Sequence, residues 1–209
     1  MAGHGVWVAL LGPDGSGKSS VLEEVERLLA PHFRGVKRYH LRPHWGRLRP
    51  TDAPVTDPHA RPARPALLSL AKLGLWWADY GVGYAALIRP RLARDILVTF
   101  DRYYHDLLVD PQRYRYGGPL RLAALGARWL PRPHVIIVLD APPEVLRQRK
   151  REVTLEETTR QREAYRRLAV TLPNARLVNA AQPLAAVAAE VASIVRSCRD
   201  APRRAGAAR

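Results

Sequence analysis

The feature that most constrains this chain is an apolar run that ends at a glycine-rich loop and is followed at once by an amphipathic segment. Every residue of Val6–Leu11 is apolar, which is typical of a strand covered on both faces in a parallel sheet. Within Lys18–Leu29, the residues Leu22, Val25 and Leu29 recur at helical spacing. A strand, a loop and a helix in this order predict the opening of a βαβ unit.

Further apolar segments predict four more strands, separated by stretches long enough to hold crossover helices. Strands that alternate with helices in this way predict an α/β fold, in which a five-stranded parallel sheet lies between two layers of helices. We predict one domain over residues 1–198, followed by a basic, disordered tail over 199–209. The additional strands are predicted at Val36–Leu41, Ile96–Phe100, Val135–Leu139 and Ala175–Val178.

The loop after the first strand matches a phosphate-binding pattern, in which a glycine and four residues precede Gly-Lys-Ser. Glycines let successive backbone N–H groups turn toward phosphate oxygens, and the N-terminus of the next helix favours the same anion. Lys18 would neutralise these oxygens and the Ser19 hydroxyl would ligate Mg²⁺. The pattern therefore predicts a P-loop NTPase fold that binds a nucleotide together with Mg²⁺. The predicted nucleotide-binding residues are Gly12, Asp14, Gly15, Ser16, Gly17, Lys18, Ser19 and Ser20.

The class of NTPase is narrowed by motifs that the sequence lacks. A GTP-dependent switch reads guanine through Asn-Lys-x-Asp, but the two asparagines of the chain, Asn174 and Asn179, are each followed by alanine. Motor and transporter ATPases normally have larger domains with further signatures, which we do not find. A small phosphotransferase is the preferred class.

An acid and an arginine follow the predicted strand Ile96–Phe100. In parallel sheets the carboxyl ends of the strands face the ligand crevice, so Asp101 and Arg102 are expected beside the phosphate-binding loop. Asp101 could hold Mg²⁺ through water or orient the acceptor, and Arg102 offers a planar fork to a phosphate. Alternatively, the two residues cap and pair locally at the strand end. Asp140 also ends a predicted strand and is a candidate for the same crevice.

The stretch Ala66–Ile88 is mostly apolar and long enough to span a bilayer, but Lys72 and Asp79 lie in its middle. We interpret it as part of a buried helix over about 66–94, with a possible interruption at Pro90, rather than as a membrane span. The Pro-, Arg- and His-rich segment from Arg42 to residue 65 predicts a long surface loop.

The composition indicates an anionic partner but does not identify which kind of anion it is. Lys and Arg number 34 against 19 Asp and Glu, which gives a net charge of +15, and excess positive charge favours nucleic acid, anionic lipid or phosphorylated metabolites. A single cysteine, Cys198, excludes a disulfide framework and a cysteine-based zinc site. With no targeting segment evident, we expect a cytoplasmic protein. We expect small phosphorylated ligands rather than specific nucleic acid or membrane, although a non-catalytic nucleic-acid-binding protein regulated by ATP remains an alternative.

Four motifs in order resemble the thymidylate kinase family of nucleoside monophosphate kinases. They are the loop acid Asp14, the triplet Asp101-Arg102-Tyr103, the stretch Val135–Glu144, and Asn179–Leu184. The resemblance implies transfer of the γ-phosphoryl group of ATP to dTMP. It also leaves a homodimer possible.

The resemblance implies roles for individual residues. Asp14 would hydrogen-bond the acceptor sugar, Lys18 would act in catalysis, and Ser19 with Asp101 would hold the metal. Asp101 and Arg102 would manage metal and acceptor phosphate. Asn179 and Ala180 would line the adenine pocket. A lid over about 144–156 would deliver Arg147 and Arg151, which we predict on one helical face, to the charge that develops in the transition state.

The acceptor half of the predicted site departs from the family pattern. Where the family carries an arginine that grips the acceptor phosphate, this chain has Tyr80, in the stretch Trp76–Tyr80. The turn Arg113–Tyr116 also differs from its counterpart. Aromatic residues of this helix could stack on a base or sugar, although a core position is the more common role. The acceptor is therefore open between dTMP or a related nucleoside monophosphate and a sugar, polyol or secondary metabolite.

Overall fold

The protein is described here from a computed structural model, which defines residues 4–44, 62–150 and 153–200. Within these ranges, five strands form one sheet in the order β2-β3-β1-β4-β5, and all neighbouring pairs are parallel. The α/β class and the five-stranded parallel sheet are thus confirmed. The strands are β1 (Trp7–Leu11), β2 (Gly35–His40), β3 (Ile96–Asp101), β4 (Val135–Asp140) and β5 (Ala175–Asn179).

Helices cover both faces of this sheet, because each crossover between parallel strands carries the chain over a face. A 3₁₀ turn (Ala30–His32) follows the first helix, and a π-helical turn (Tyr84–Ile88) joins the second helix to the third. The α-helices are α1 (Lys18–Leu29), α2 (Ala66–Gly83), α3 (Arg89–Ala93), α4 (Asp106–Val109), α5 (Leu120–Ala127), α6 (Pro143–Arg149), α7 (Leu155–Thr171) and α8 (Leu184–Asp200).

The central strand β1 shows why the opening apolar run is unbroken. Its five residues are buried, and successive side chains point to opposite faces. Val8 and Leu10 join the core beneath α1 and α8, whereas Trp7, Ala9 and Leu11 join the core beneath α2 and α7. Because both faces are covered, the strand has no polar alternation.

Two predicted boundaries are wrong for local physical reasons. The long helix is interrupted at Tyr84–Ile88, not at Pro90. The proline has no N–H and its ring crowds the preceding turn, so the helix widens one turn earlier. The predicted tail begins too early, since α8 continues to Asp200. Arg199 pairs with Asp95 at 2.9 Å and lies over the Phe33 ring.

Other sequence predictions lie outside the described residues. They are the loop segment 45–61, Arg151 in the predicted lid, and the tail from residue 201. In the ranges that the structure does describe, no helix is long and apolar enough to cross a membrane.

Candidate functional site

The loop between β1 and α1 has a backbone that requires glycine. Gly12, Gly15 and Gly17 adopt φ angles of 146°, 80° and 81°, which side chains disfavour. A Cβ on Gly15 would also lie 2.3 Å from the carbonyl oxygen of Leu146, so α6 packs directly against the loop. Gly17 caps α1 without a side-chain hydrogen bond to the helix. The first N–H groups of α1 thus have no side-chain cap competing for the position where an anion binds.

Lys18 is folded back onto this loop. Its Nζ donates hydrogen bonds to the carbonyl oxygens of Gly12 (2.8 Å) and Pro13 (2.9 Å). The side chain is buried, and this burial, together with the positive charge of Arg102, lowers the pKa of Lys18 to about 7. The amine therefore lies among neutral oxygens, which phosphate oxygens could replace as better partners.

Ser19 and Asp101 form the second contact of the site. The Ser19 hydroxyl donates to Asp101 Oδ2 at 2.8 Å, because β3 lies next to β1 and ends at the same edge of the sheet. A hydroxyl and a carboxylate are oxygen ligands of the type that Mg²⁺ takes beside phosphate oxygens and water. The donor set fits such an ion. No group of three or more His, Cys, Asp or Glu positioned for a metal occurs among the residues described.

Two arginines converge on the loop acid Asp14. Arg102 donates from Nη2 to Asp14 Oδ1 at 2.6 Å, and Arg113 donates to Asp14 Oδ2. Arg102 adopts a left-handed φ of 75°, which is uncommon outside glycine and recurs at functional sites. Sequence reasoning gave Arg102 a role of its own, whereas it named Arg113 only as part of a turn in the acceptor half of the site. The available signal was the Arg- and Tyr-rich turn after Asp110, which has no periodicity to orient its side chains.

Each of these arginines also forms an ion pair with a second carboxylate, and the two carboxylates lie four residues apart in the sequence. Asp106 at the start of α4 accepts from Arg102 at 2.9 Å, and Asp110 accepts from Arg113 at 3.3 Å. Behind them on α7, the Tyr165 hydroxyl donates to Asp106 at 2.9 Å. We call this arrangement the carboxylate ladder, and it includes a hydrogen bond from Gln161 Nε2 to Asp110 Oδ2 at 3.2 Å.

Within the carboxylate ladder, burial and neighbouring charges shift the pKa values in opposite directions. Burial raises the pKa of Asp106, and the neighbouring guanidinium of Arg102 acts against that rise. Although burial disfavours its charge, Arg102 has a pKa raised above the ordinary value, chiefly by the Asp106 carboxylate. The carboxylate of Asp106 in the ladder therefore offsets the cost of burying the Arg102 charge.

A group of cations surrounds Trp76 on α2. The Arg42 guanidinium and the Lys72 amine each lie 5.2 Å from the centroid of this ring. Arg42 also pairs with Asp79 at 3.1 Å. Its Nε is buried and makes no hydrogen bond to any residue that the structure describes. Burial and nearby cations, Arg64 first, lower the pKa of Lys72 to about 8.

The aromatic residues of α2 are mainly core. Trp76 and Tyr80 are 5% and 1% exposed, and the Tyr80 hydroxyl donates to the carbonyl oxygen of Leu41. Tyr80 packs edge-on against Tyr103. The core interpretation is confirmed for these two residues, so position 80 offers a ligand neither a stacking surface nor a charge.

Arg149 connects the predicted lid to the turn that was predicted to line the adenine pocket. Arg149 Nη1 donates to the carbonyl oxygen of Ala180 at 2.8 Å, whereas Asn179 is exposed and caps its own turn through Ala181. Arg147 lies on α6, and its buried Nε has no hydrogen-bond partner among the described residues. α6 ends at Arg149 and Arg151 lies outside the described residues, so the helical face that Arg147 and Arg151 were predicted to share stays a prediction.

Asp140 is placed differently from Asp101. Its carboxylate accepts from Arg162 at 2.6 and 3.0 Å and from Arg166 at 2.8 Å. These arginines lie on α7, so Asp140 ties that helix to the end of β4. We therefore assign it to packing rather than to the crevice.

The structure brings Lys18, Ser19, Asp101 and Arg102 together at one edge of the sheet, and the backbone of Leu146 in α6 packs against the same loop. A search of protein-family models finds none that matches this chain. The resemblance to thymidylate kinases thus rests on the motifs themselves.

Proposed function

We propose that this chain is a cytoplasmic, ATP- and Mg²⁺-dependent phosphotransferase that transfers the γ-phosphoryl group to a small phosphate-bearing acceptor. dTMP, or a related nucleoside monophosphate, is the acceptor that the motifs favour. The observation that carries the proposal is the convergence of Lys18, the Ser19–Asp101 pair and two arginines on one glycine loop.

The donor side follows from the loop. Lys18 would release the carbonyl oxygens of Gly12 and Pro13 and bind phosphate oxygens instead, while the N–H groups of the loop and of α1 bind the rest. Ser19 and Asp101 would hold Mg²⁺, which supplies charge neutralisation at the β- and γ-phosphates when bound. Arg147, with its buried Nε lacking a hydrogen-bond partner among the described residues, and Arg151 are the proposed stabilisers of the transferring group.

The acceptor side follows from the arginine pair. Two guanidinium groups that already hold the Asp14 carboxylate form a site for an anion of similar size and charge. An acceptor phosphate would take the carboxylate's place on Arg102 and Arg113, and Asp14 would turn to an acceptor hydroxyl. In this proposal, Arg113 supplies the cation that is missing at Tyr80.

A different acceptor is the second candidate. The stretch around Tyr80 departs from the family pattern, and the cations at Trp76 have no counterpart among the motifs that the resemblance rests on. A phosphorylated sugar or polyol would use the same arginine pair. The non-catalytic alternative, a nucleic-acid-binding protein regulated by ATP, has only the net charge of +15 in its favour.

The decisive experiment measures ADP release from ATP across a panel of nucleoside monophosphates, phosphorylated sugars and neutral polyols. We expect turnover with a phosphorylated acceptor, and a loss of several orders of magnitude in Lys18→Ala and Asp101→Ala. Lys37→Ala, on the exposed surface of β2, is the matched control.

Turnover at the wild-type rate in either site variant would refute the assignments. Turnover restricted to neutral polyols would refute the acceptor class. If no acceptor reacts while random duplex DNA binds with a steep salt dependence, the nucleic-acid alternative is correct.

A further inference from the structure

Two cations beside the first turns of α2 share one neutral hydrogen-bond acceptor. The Lys72 amine and Arg64 Nη1 each donate to the carbonyl oxygen of Tyr114 at 3.1 Å, so the two charged nitrogens are at most twice that distance apart. Like charges at this separation repel each other. Across residues 4–44, 62–150 and 153–200, neither side chain forms an ion pair with a carboxylate. An anion would be a better partner than the carbonyl oxygen at this position.

Two further arginines extend this positive region. Burial and the charges of three arginines together lower the pKa of Lys72 to about 8. Within the part of the chain that the structure describes, Arg42 is the member with a carboxylate partner, which is Asp79 at 3.1 Å. The region therefore has more positive than negative side chains. We call it the α2 cation group, and it comprises Arg42, Arg64, Lys72 and Arg115.

Backbone hydrogen bonds hold these cations close together. The N–H of Arg64 donates to the carbonyl oxygen of Arg115 at 3.0 Å. The Ser69 hydroxyl donates to the carbonyl oxygen of Arg64 at 3.3 Å and accepts from the N–H of Gly117 at 2.9 Å. A Cβ on Gly117 would lie 2.2 Å from the same carbonyl oxygen. Because the segment before α2 and the turn after α4 are joined in this way, the cations are pre-organised for an anion.

A small cleft adjoins the α2 cation group. It encloses about 190 Å³, part of it open to solvent, between α2 and the turn after α4. Its walls are apolar or aromatic except for Lys72 and Ser69. Pockets that hold a whole small molecule usually measure roughly 300–1,000 Å³. The cleft therefore fits one end of a ligand whose other end lies elsewhere.

Tyr114 connects this cleft to the arginine pair that holds Asp14. Its carbonyl oxygen is the acceptor that two members of the α2 cation group share. Its hydroxyl lies 3.5 Å from Asp106 Oδ2, and the same oxygen accepts from Arg102. The two positive sites are therefore separated by about the length of one tyrosine.

We propose that the phosphoryl acceptor carries a second acidic group, which binds the α2 cation group while the acceptor phosphate binds Arg102 and Arg113. The assignment rests on the proposed function and narrows its acceptor to a phosphate ester with a carboxylate or a second phosphate on the far side of one ring. The second acid replaces the carbonyl oxygen of Tyr114 as the partner of Lys72 and Arg64, because hydrogen bonds between charged groups are the stronger ones.

Other partners account for the cations less well. A thymine ring or a sugar hydroxyl would leave Lys72 and Arg64 partly desolvated without a charged partner, which costs free energy. The sequence segment 45–61 contains two acids, Asp52 and Asp57, which are the other source of a carboxylate. The tests below distinguish these acids from a ligand.

The first test measures dissociation constants by isothermal titration calorimetry without ATP, so the result does not depend on turnover. Glucose 1-phosphate, glucose 1,6-bisphosphate and glucuronic acid 1-phosphate share one ring and differ at its far side by a hydroxyl, a phosphate or a carboxylate. Uridine and orotidine monophosphates form a second matched pair, in which orotidine adds a carboxylate to the base. We expect the doubly acidic ligands to bind about 10- to 100-fold more tightly than their partners.

Variants of the α2 cation group assign that preference to its residues. Lys72→Met and Arg64→Met should each lower the ratio between doubly and singly acidic ligands about 10-fold or more. Lys37→Met, at an exposed lysine of β2, is the matched control and should keep the full ratio. Circular dichroism of each variant verifies folding. An unchanged ratio in both variants would place the second acid elsewhere and overturn the proposal.

NMR of the lysine Cε carbons tests the site without assuming any ring. Inorganic phosphate at millimolar concentration should move the titration of the Lys72 amine to higher pH, because an anion favours the charged amine. The shift should be smaller in Arg64→Met. A Lys72 titration that does not respond to phosphate would contradict the proposal.

Turnover separates failure of the second site from failure of the proposed function. ADP release with equal KM for singly and doubly acidic acceptors would overturn the second site and leave the kinase assignment intact. A binding preference that Lys72→Met removes, without ADP release from any acceptor, would support the second site and overturn the kinase assignment. If the preference emerges only when Asp52→Asn and Asp57→Asn are combined, the chain's own acids occupy the α2 cation group and the proposal is wrong.

Discussion

The pKa of Lys18 makes the stability of the fold depend on pH in a direction opposite to that of most paired lysines. Burial lowers this pKa from 10.5 to about 7. The unfolded chain therefore holds a proton between pH 7 and 10.5 that the folded protein has released. Raising the pH through this window favours the folded state, and the penalty for burying the charged amine is complete below pH 7.

The magnitude follows from the two pKa values. Between pH 7 and pH 9 the folded protein goes from half-charged to neutral at Lys18, while the unfolded chain stays almost fully charged there. Linkage then gives a rise of about 2 kcal/mol in the free energy of unfolding over these two pH units. Lys18→Met has no titratable amine at this position, so its free energy of unfolding should lack this rise with pH.

Urea denaturation at pH 7, 8 and 9 measures the effect as a difference between the full chain and Lys18→Met. Lys37→Met, at an exposed lysine of β2, removes a lysine without touching the loop and serves as control. The chain has four lysines, so NMR of the lysine Cε carbons can follow each one directly. One resonance should titrate near pH 7 and vanish in Lys18→Met. Parallel stability curves for the full chain and Lys18→Met would refute the reasoning.

Three further predictions concern the loop and the carboxylate ladder. Arg113→Met should raise the KM for a phosphorylated acceptor about 10- to 100-fold and leave the KM for ATP unchanged, because it removes one charged hydrogen bond at the acceptor. Steady-state kinetics with each substrate varied measures both constants, and a raised KM for ATP with an unchanged KM for the acceptor would contradict the prediction. Asp106→Asn should lower the free energy of unfolding by about 3 kcal/mol, since Arg102 then stays buried beside a neutral amide. Urea denaturation measures this difference, and a free energy of unfolding equal to that of the unmodified chain within error would contradict the prediction. Gly15→Ala should lower the unfolding temperature more than Gly17→Ala. Backbone strain of about 1 kcal/mol is expected for Gly17→Ala, whose Cβ meets open space, whereas the Cβ of Gly15→Ala also collides with a carbonyl oxygen. Equal shifts of the unfolding temperature in scanning calorimetry would show that the collision relaxes.

The centre of the sheet was predictable because its inner strands are covered on both sides. Burial of both faces of β1 and β4 produces unbroken apolar runs, which are easier to recognise than alternating patterns. Lys18, Ser19, Asp101 and Arg102 were predictable for a related reason. Asp101 and Arg102 follow such a run directly, Lys18 and Ser19 follow the glycine loop after another, and the carboxyl ends of parallel strands meet at one edge.

Sequence reasoning placed Arg113 in a turn of the acceptor half but could not predict its pairing with Asp14, because that pairing depends on tertiary contacts. The turn that carries it has no periodicity, and it is oriented by Asp110, which is supported in turn by Gln161 of α7. The π-helical turn was missed because it reflects steric crowding by Pro90 rather than any hydrophobic pattern. The roles of Arg147 and Arg151 and the identity of the acceptor stay predictions.

The order of strands across the sheet has a consequence for synthesis of the chain. β1 is made first, yet its hydrogen-bonding neighbours are β3 and β4, and the last of these is complete at Asp140. At about 5–20 residues per second, the ribosome needs roughly 6–25 s to supply both partners. Until Asp101 is made, the apolar run Trp7–Leu11 has no native strand partner, and until Asp140 is made it has only one of its two. Arg102 and Arg113, the counter-ions of Asp14, are made only after β3. A nascent chain stopped before residue 135 should therefore remain protease-sensitive and require a chaperone, so folding of the phosphate-binding edge is a late event.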